Sequence, residues 1–360
     1  MNVSADSIAL LRQQLTSDSI LTAEEISERY SVDFTGENAQ MPLAVIRPGS
    51  TEEVALILRT CSELSQPVVI QGGMTGLAGG ATPKQGEIAL SLERLSGIEE
   101  VDPASMTVTA MAGTPLQAIQ EAAESAGLLL PLDYGARGSC HIGGAIATNA
   151  GGNQVIRFGM TRNLVLGLEA VLADGTIVSS MNKMLKNNAG YDLKQLFIGS
   201  EGTLGVMTRT GLRLFPRLSS RCTALCAVKS FSQSVALLRD AQAKLGNSIS
   251  AYEVMWAPYY DRCVEHIEAL RSPFEQKFAL YALIETEGSE QDSDNRRFEE
   301  VLGSALESGI IEDAVIAQSE KDRQTFWAIR DGVSEITKDL IPYASPVSYT
   351  HLTLPTNREV

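Results

Sequence analysis

Residues 72–80 read Gly-Gly-Met-Thr-Gly-Leu-Ala-Gly-Gly, five glycines in nine positions. Such a stretch presents main-chain N–H groups with little side-chain bulk, which suits a phosphate or diphosphate. The Thr75 hydroxyl adds a donor. A tight strand connection is the plainer alternative, but a turn requires fewer glycines. A second glycine-dense stretch spans 135–152, with Gly135, Gly138, Gly143, Gly144, Gly151 and Gly152. Its small residues, hydroxyls and one amide suit a backbone that passes close to a flat ligand. A third runs from Gly190-Tyr191-Asp192-Leu193 to Gly199-Ser200-Glu201-Gly202-Thr203-Leu204-Gly205-Val206. Taken alone, it reads as a helix end and a turn.

None of the 30 glycines is spaced Gly-x-Gly from another, so the G-x-G-x-x-G dinucleotide fingerprint is absent. No glycine precedes a lysine, which removes a Walker A loop. The elements around the first loop agree. Pro67-Val68-Val69-Ile70 reads as a strand, and so does Ile88-Ala89-Leu90-Ser91-Leu92. The glycines therefore link strand to strand, where both common nucleotide folds would open a helix.

Further elements must position these loops. Ile8, Leu11 and Leu15 predict an amphipathic first helix, and Thr22 with Glu25 predicts a capping box. Ser50 with Glu53 predicts another, opening a helix whose apolar face is Val54, Ile57, Leu58, Cys61 and Leu64. Thr107 to Met111 reads as a strand. Pro115 is expected at the first helical position, with Gly127 ending that helix. Asp174-Gly175 between two apolar runs predicts a hairpin over 164–179 with a type I′ turn. Helical patterns follow at 231–245, 258–270 and 295–308. Strands and helices mix without strict alternation, so the fold class is α+β. Composition changes near Pro216, placing a domain boundary at about 218–222.

At 360 residues the chain is long enough for two cores. Its net charge of −15 argues against nucleic acid or an anionic membrane as main partner. Residues 137–220 carry nine Lys/Arg against four Asp/Glu, a positive segment that suits an anionic ligand or is merely uneven surface charge. The five cysteines form no zinc pattern and read as buried free thiols in a reducing compartment. The N-terminus has no long apolar run, so a cytoplasmic location is expected, without signal peptide or membrane span.

Taken together, several motifs resemble the flavin-binding domain of the vanillyl-alcohol oxidase / para-cresol methylhydroxylase superfamily. Within it the chain is similar to the glycolate oxidase D-subunit, D-lactate dehydrogenase and D-2-hydroxyglutarate dehydrogenase group. The residues that carry the resemblance are 48–54, 71–77, 138–152, 167–175 and 190–206, dense over about 42–217 and thinner to about 345. It implies FAD held between two α+β subdomains, followed by an incomplete α+β cap that binds substrate. The domains expected are 1–41 helical, 42–220 FAD-binding, 221–345 cap and 346–360 a foreign-looking tail. Gln71 would bind the cofactor, and Gly72, Gly73, Met74, Thr75 and Gly76 would wrap the pyrophosphate. Pro131, Leu132, Ser139, Gly143, Gly144, Thr148, Asn149 and Gly152 would line the ribityl and ring region. Glu201, Gly205 and Val206 would close over the remainder.

Some relatives attach the flavin through a histidine in the first loop. Residues 67–86 contain none, so non-covalent FAD is expected, with His141 an unfavoured anchor. The implied reaction is oxidation of a D-2-hydroxy acid by hydride transfer to flavin. Gln324 to Arg330 resembles the group's Trp-x-x-Arg segment, on a helix whose apolar stripe is Phe326, Ile329, Val333, Ile336 and Leu340. Arg330 borders that stripe and would clamp the substrate carboxylate, the alternative being an ordinary salt bridge. No catalytic residue is identified. Relatives carry a Gly-His-x-Gly-Asp-Gly-Asn-x-His metal segment further on. This chain has only His141, His266 and His351, so the metal half-site is expected to be missing from a truncated chain.

The partners expected are a small 2-hydroxy acid, an unidentified electron acceptor and, in a homodimer, a second copy. Two alternatives stay open on the sequence: a non-catalytic flavin-binding electron-transfer subunit, and a sugar or aldonolactone oxidase on the same scaffold.

Overall fold

The computed structural model describes residues 3–336. Leu340 and the expected tail at 346–360 lie outside the described residues. The chain opens with α1 (Val3–Gln14), which sends Leu11 into the core beside Leu15. Thr22 and Glu25 close the expected capping box over a single 3-10 turn. The first sheet comprises β1 (Ile20–Thr22), β2 (Ala44–Ile46), β3 (Val68–Gln71) and β4 (Ile88–Ser91), in the order β1-β2-β4-β3. β2, β4 and β3 are parallel, and β1 is antiparallel to β2. Helix α2 (Thr51–Glu63) lays Val54, Ile57, Leu58 and Cys61 over Ala44, Ile46, Ile88 and Leu90. Val45, Val69 and Ala89 face Ile26 and Tyr30 on the other side. Burial on both faces explains why these strands read as apolar runs without alternation. Ser50 caps α2 as expected, while the Glu53 carboxylate accepts from the Gly49 N–H (2.7 Å), one residue upstream of a standard box. β3 and β4 are parallel neighbours, yet residues 72–87 join them with no helix.

The second unit contains β5 (Ile98–Asp102), β6 (Thr107–Met111), α3 (Leu116–Ser125), β7 (Leu128–Leu129), α4 (Ile142–Ala147), α5 (Val155–Phe158), α6 (Thr161–Leu164), β8 (Val165–Val171), β9 (Ile177–Ser180), α7 (Lys194–Phe197), β10 (Val206–Arg213) and β11 (Phe215–Pro216). Its antiparallel sheet runs β5-β6-β10-β8-β9. Leu116 and Ile119 of α3 and Ile142 and Ile146 of α4 pack with Val108, Ala110, Leu168 and Leu212. Two local expectations change. Pro115 precedes the helix, with extended ψ of 137°, because it bridges to His141. The Leu116 and Gln117 N–H groups donate to the Cys140 and Arg137 carbonyls, so the second glycine stretch caps α3. In the β8–β9 hairpin Gly175 has φ +81° but Asp174 is not in the left-handed region. Leu172 bonds both Gly175 and Thr176, which is a type I turn with a glycine bulge and not type I′.

The third unit is the cap: β12 (Ser220–Val228), α8 (Phe231–Leu245), β13 (Ile249–Trp256), α9 (Ala257–His266), β14 (Leu280–Gly288), α10 (Gln291–Glu307), β15 (Asp313–Ile316), α11 (Glu320–Asp331) and α12 (Val333–Ile336). Its antiparallel sheet runs β13-β14-β12-β15. Leu237, Phe298 and Leu302 cover one face over Ala224, Ala282 and Ile284. Tyr260, Cys263, Phe326 and Ile329 cover the other over Leu225, Met255, Tyr281 and Leu283. The apolar stripe of α11 breaks at Gly332, leaving Val333 48% exposed while Ile336 is buried. A side chain at Gly332 would lie 2.8 Å from Ile267, so the helix closes on α9 there. The fold is α+β throughout, and all five cysteines are buried free thiols.

Candidate functional site

The three glycine-dense stretches, far apart in sequence, meet at the end of β3. The Gly73 backbone runs so close to Ser139 that a Cβ would stand 2.0 Å from the Ser139 carbonyl oxygen. A Cβ on Gly72 would lie 3.7 Å from that of His141 and 3.8 Å from the Gly144 Cα. The third stretch closes the ring: the Glu201 N–H donates to Ala147 (2.9 Å) and Gly199 to Ile146 (3.1 Å). Glu201 Oε2 stands 3.4 Å from where Gly80 would carry a Cβ.

Seven consecutive N–H groups, those of residues 72–78, donate no hydrogen bond to protein among the described residues. The loop is anchored only at its ends. Gly79 N–H donates to Asp33 Oδ2 (2.8 Å), and Gln71 Nε2 donates to the Tyr30 (2.9 Å) and Ala81 (3.0 Å) carbonyls, bracketing both loop ends. Buried polar groups are ordinarily paired. Here Gln71 Oε1, His141 Nδ1 and Ser200 Oγ are buried without partners. Met74, Asn149 and Glu201 are non-glycine residues held in the left-handed region, at φ +55°, +48° and +52°. Such strain gathers where a surrounding structure fixes a backbone for use. Burial pushes the His141 imidazole below its usual range, against the opposing pull of Glu93.

The residues expected to line a cofactor fall into two groups. Gly72 to Gly76, Ser139, Gly143, Gly144 and Glu201 come together around the loop. Gly143 and Gly152 are close-approach glycines, pressed on Ala112 and on the Asp133 carbonyl. Asn149 spends its Oδ1 on the Arg162 N–H (2.9 Å), and Thr148 donates to the Gly144 carbonyl. The side chains of Leu132 and Val206 sit in apolar cores, so these two, like the buried Pro131, offer main chain only. Gly205 packs on the Val171 carbonyl beneath β10.

The cap presents a different surface. Glu285 and Glu287, each 3% exposed, end the apolar face of β14. Glu285 accepts from Thr223 (2.7 Å) and from Trp327 Nε1 (2.9 Å). Glu287 accepts from Arg221 (2.7 Å) and from Gln154 of the second unit (3.2 Å), with Arg157 at 3.9 Å. Sequence reading missed this seam, although two carboxylates at alternate positions after an apolar strand are a visible signal. Arg330, placed by its motif, is held by Glu253 through Nε and Nη2 (both 3.0 Å) and by Asp331 through Nη1 (3.0 Å). Burial would lower its pKa, but the two carboxylates outweigh that and raise it. A cleft of about 870 Å³ opens between α3 and the cap, with Leu130, Arg137, Arg221, Glu287 and Arg323 in its wall. Among the described residues no cluster of three His, Cys, Asp or Glu side chains could hold a metal ion. No described helix is long and apolar enough to cross a membrane.

Comparison with known proteins agrees with this geometry. An FAD binding domain matches residues 42–180, and the C-terminal domain of FAD linked oxidases matches 217–353. The second match continues past Pro346, where the family pattern was expected to be lost. The chain is 36% identical over 328 residues to the mitochondrial D-2-hydroxyglutarate dehydrogenase of Arabidopsis thaliana, covering 91% of this chain and 59% of that protein. It is 36% identical over 350 residues to the D-2-hydroxyglutarate dehydrogenase of Xanthomonas citri pv. viticola, covering 97% of this chain and 73% of that one. The solved structure of a p-cresol methylhydroxylase with substrate bound shares the fold, with a TM-score of 0.68 at 17% identity over 92% of this chain and 69% of that one.

Proposed function

Because the chain belongs to the FAD-linked oxidase family that includes the D-2-hydroxyglutarate dehydrogenases, we propose that it binds FAD non-covalently and oxidises a D-2-hydroxy acid to the 2-oxo acid. When bound, FAD supplies the two-electron acceptor that no side chain can provide. Residues 42–220 hold it and 221–345 form the cap. The observation that carries this reading is the run of free N–H groups at 72–78. A diphosphate offers acceptors to those donors, and the hydroxyls of a ribose or ribityl chain offer donors to Gln71 Oε1. Gly72 to Gly76 wrap the diphosphate. Ser139, Gly143, Gly144, Thr148, Asn149 and Gly152, with the main chain of Pro131 and Leu132, border the rest of the cofactor. Glu201, Gly205 and Val206 close the far side.

Arg330 orients the substrate carboxylate. Its contacts with Glu253 and Asp331 use three of five guanidinium N–H groups, which leaves one hydrogen on each terminal nitrogen for an incoming carboxylate. The free thiols fit a reducing compartment, and we place the protein in the cytoplasm, whereas the plant relative is mitochondrial by name.

An anaerobic spectrum tests the reading. The purified protein should be yellow, and D-2-hydroxyglutarate, D-lactate or glycolate should bleach the flavin band. A yellow protein that none of them bleaches contradicts the assigned reaction. Arg330→Ala should raise KM at least tenfold while FAD stays bound, and unchanged kinetics would remove Arg330 from the site.

A further inference from the structure

We propose that His141 is a direct, non-covalent FAD ligand, its Nδ1–H donating to the diphosphate held by the first glycine loop. The inference rests on the FAD reading above and adds a side-chain donor to the backbone amides around the diphosphate. Three observations place it there. His141 Nδ1 is fully buried, yet no donor or acceptor among the described residues meets it. A buried polar nitrogen left unpaired costs free energy, so a partner is expected. The residue also stands at the seam of the two glycine stretches. Its backbone bridges to Pro115 and accepts from Ala145, so its position is fixed at both ends. Its Cβ lies 3.7 Å from the ideal Cβ position of Gly72, the first residue of the undonated N–H run. Finally, Gln71 Oε1 and Ser200 Oγ, on the segments flanking the same cradle, are orphaned in the same way. Three unpaired groups around one strip of free amides point to one ligand.

Burial disfavours the charged imidazolium, and in the neutral ring one nitrogen carries the proton while the other accepts. Facing a ligand made of phosphate oxygens, Nδ1 is the protonated one. Glu93 does not take that proton's hydrogen bond: its oxygens accept from Tyr30 (2.8 Å), Arg29 (2.5 Å) and Arg47 (3.4 Å), and His141 Nδ1 has no partner among the described residues.

The test is FAD affinity of the apoprotein, read from quenching of free FAD fluorescence, with thermal melting of each apo variant as control. His141→Asn keeps an amide N–H near the Nδ1 position, whereas His141→Gln places its amide where Nε2 was. The proposal expects Asn to bind FAD within about threefold of the native protein, and Gln and Ala to bind 10- to 100-fold more weakly. Apo melting of the Asn and Gln variants should be equal. If Ala fails to fold, the Asn–Gln pair decides alone. Equal affinities for Asn and Gln, or an unchanged affinity in Ala, would overturn the assignment. A native protein that binds no FAD would instead overturn the FAD reading itself.

Discussion

The glycine cradle and the acidic face of the cap solve opposite problems. The cradle keeps its shape with few side chains and leaves its donors unspent: seven N–H groups free, three buried polar atoms unpaired, three non-glycine residues held at positive φ. The cap face is built from side-chain charges and leaves almost nothing unspent. Glu285, Glu253 and Arg330 each have partners already, and Glu287 lacks one only at Oε2. A site of the first kind is poised for a resident ligand, because binding satisfies groups that folding left open. A site of the second kind holds its own position, and a ligand there must use what remains of each fork. A cofactor that stays and a substrate that comes and goes call for those two designs.

Substitutions can break or sharpen this contrast. The largest effect is expected at the seam. Glu287→Ala removes the carboxylate that Arg221, Gln154 and Arg157 share, leaving the desolvated Arg157 without a counter-charge, its remaining bonds being to the Ser248 and Glu287 carbonyls. The cost should be about 3 kcal/mol of stability, seen as a lower denaturation midpoint with unchanged slope. Next comes Gly73→Ala, which forces the loop away from the Ser139 carbonyl. It should weaken FAD binding by about 100-fold, with a stability loss of about 1–3 kcal/mol. Gly144→Ala is the sharper probe. Beyond its chain neighbours and its own helix backbone, no described residue lies within 4 Å of its new methyl, and alanine favours helix α4. The apoprotein should melt at or slightly above the native temperature. FAD affinity should fall about tenfold if the methyl enters the cofactor's space. An unaffected affinity would mean that the cofactor lies elsewhere.

The smallest effect belongs to Glu320, whose carboxyl Arg323 and Gln324 hold down at about 2. A depressed carboxyl contributes stability that is complete above its unfolded pKa and lost as pH falls through its folded one. The window is therefore from about 4.5 down to about 2. The side chain is 61% exposed, so screening leaves only a few tenths of a kcal/mol at pH 7. Glu320→Gln should lose that amount at pH 7 and converge with the native protein at pH 2, by parallel thermal melts.

How far the sequence went follows the same division. Features set by neighbours in the chain were legible: the strand–glycine–strand order, the Ser50 cap of α2, Gly127 at the end of α3, and the helices of the cap. Local reading erred at two points, one of them where a distant segment intervened. Pro115 is extended because His141 bridges to it, and the β8–β9 turn is a bulged type I because only Gly175 takes positive φ. Among the site residues, the glycines were visible because their crowding is itself a local signal. The partners of Arg330 were not, since Glu253 is 77 positions away. Gln71 was picked as a ligand, but its amide nitrogen brackets the loop, which depends on carbonyls 10 and 41 positions off. Leu132 and Val206 show the limit of a motif: it places the backbone and says nothing of which core takes the side chain.

The central claim is that the free amides of 72–78 hold the diphosphate of FAD. Titrating the folded apoprotein with FAD, and separately with riboflavin, tests it most directly. The account predicts saturable FAD binding at micromolar concentration or tighter, with riboflavin at least 100-fold weaker because it brings no phosphate to those donors. A well-folded protein that binds neither, or that binds riboflavin as tightly as FAD, would contradict it.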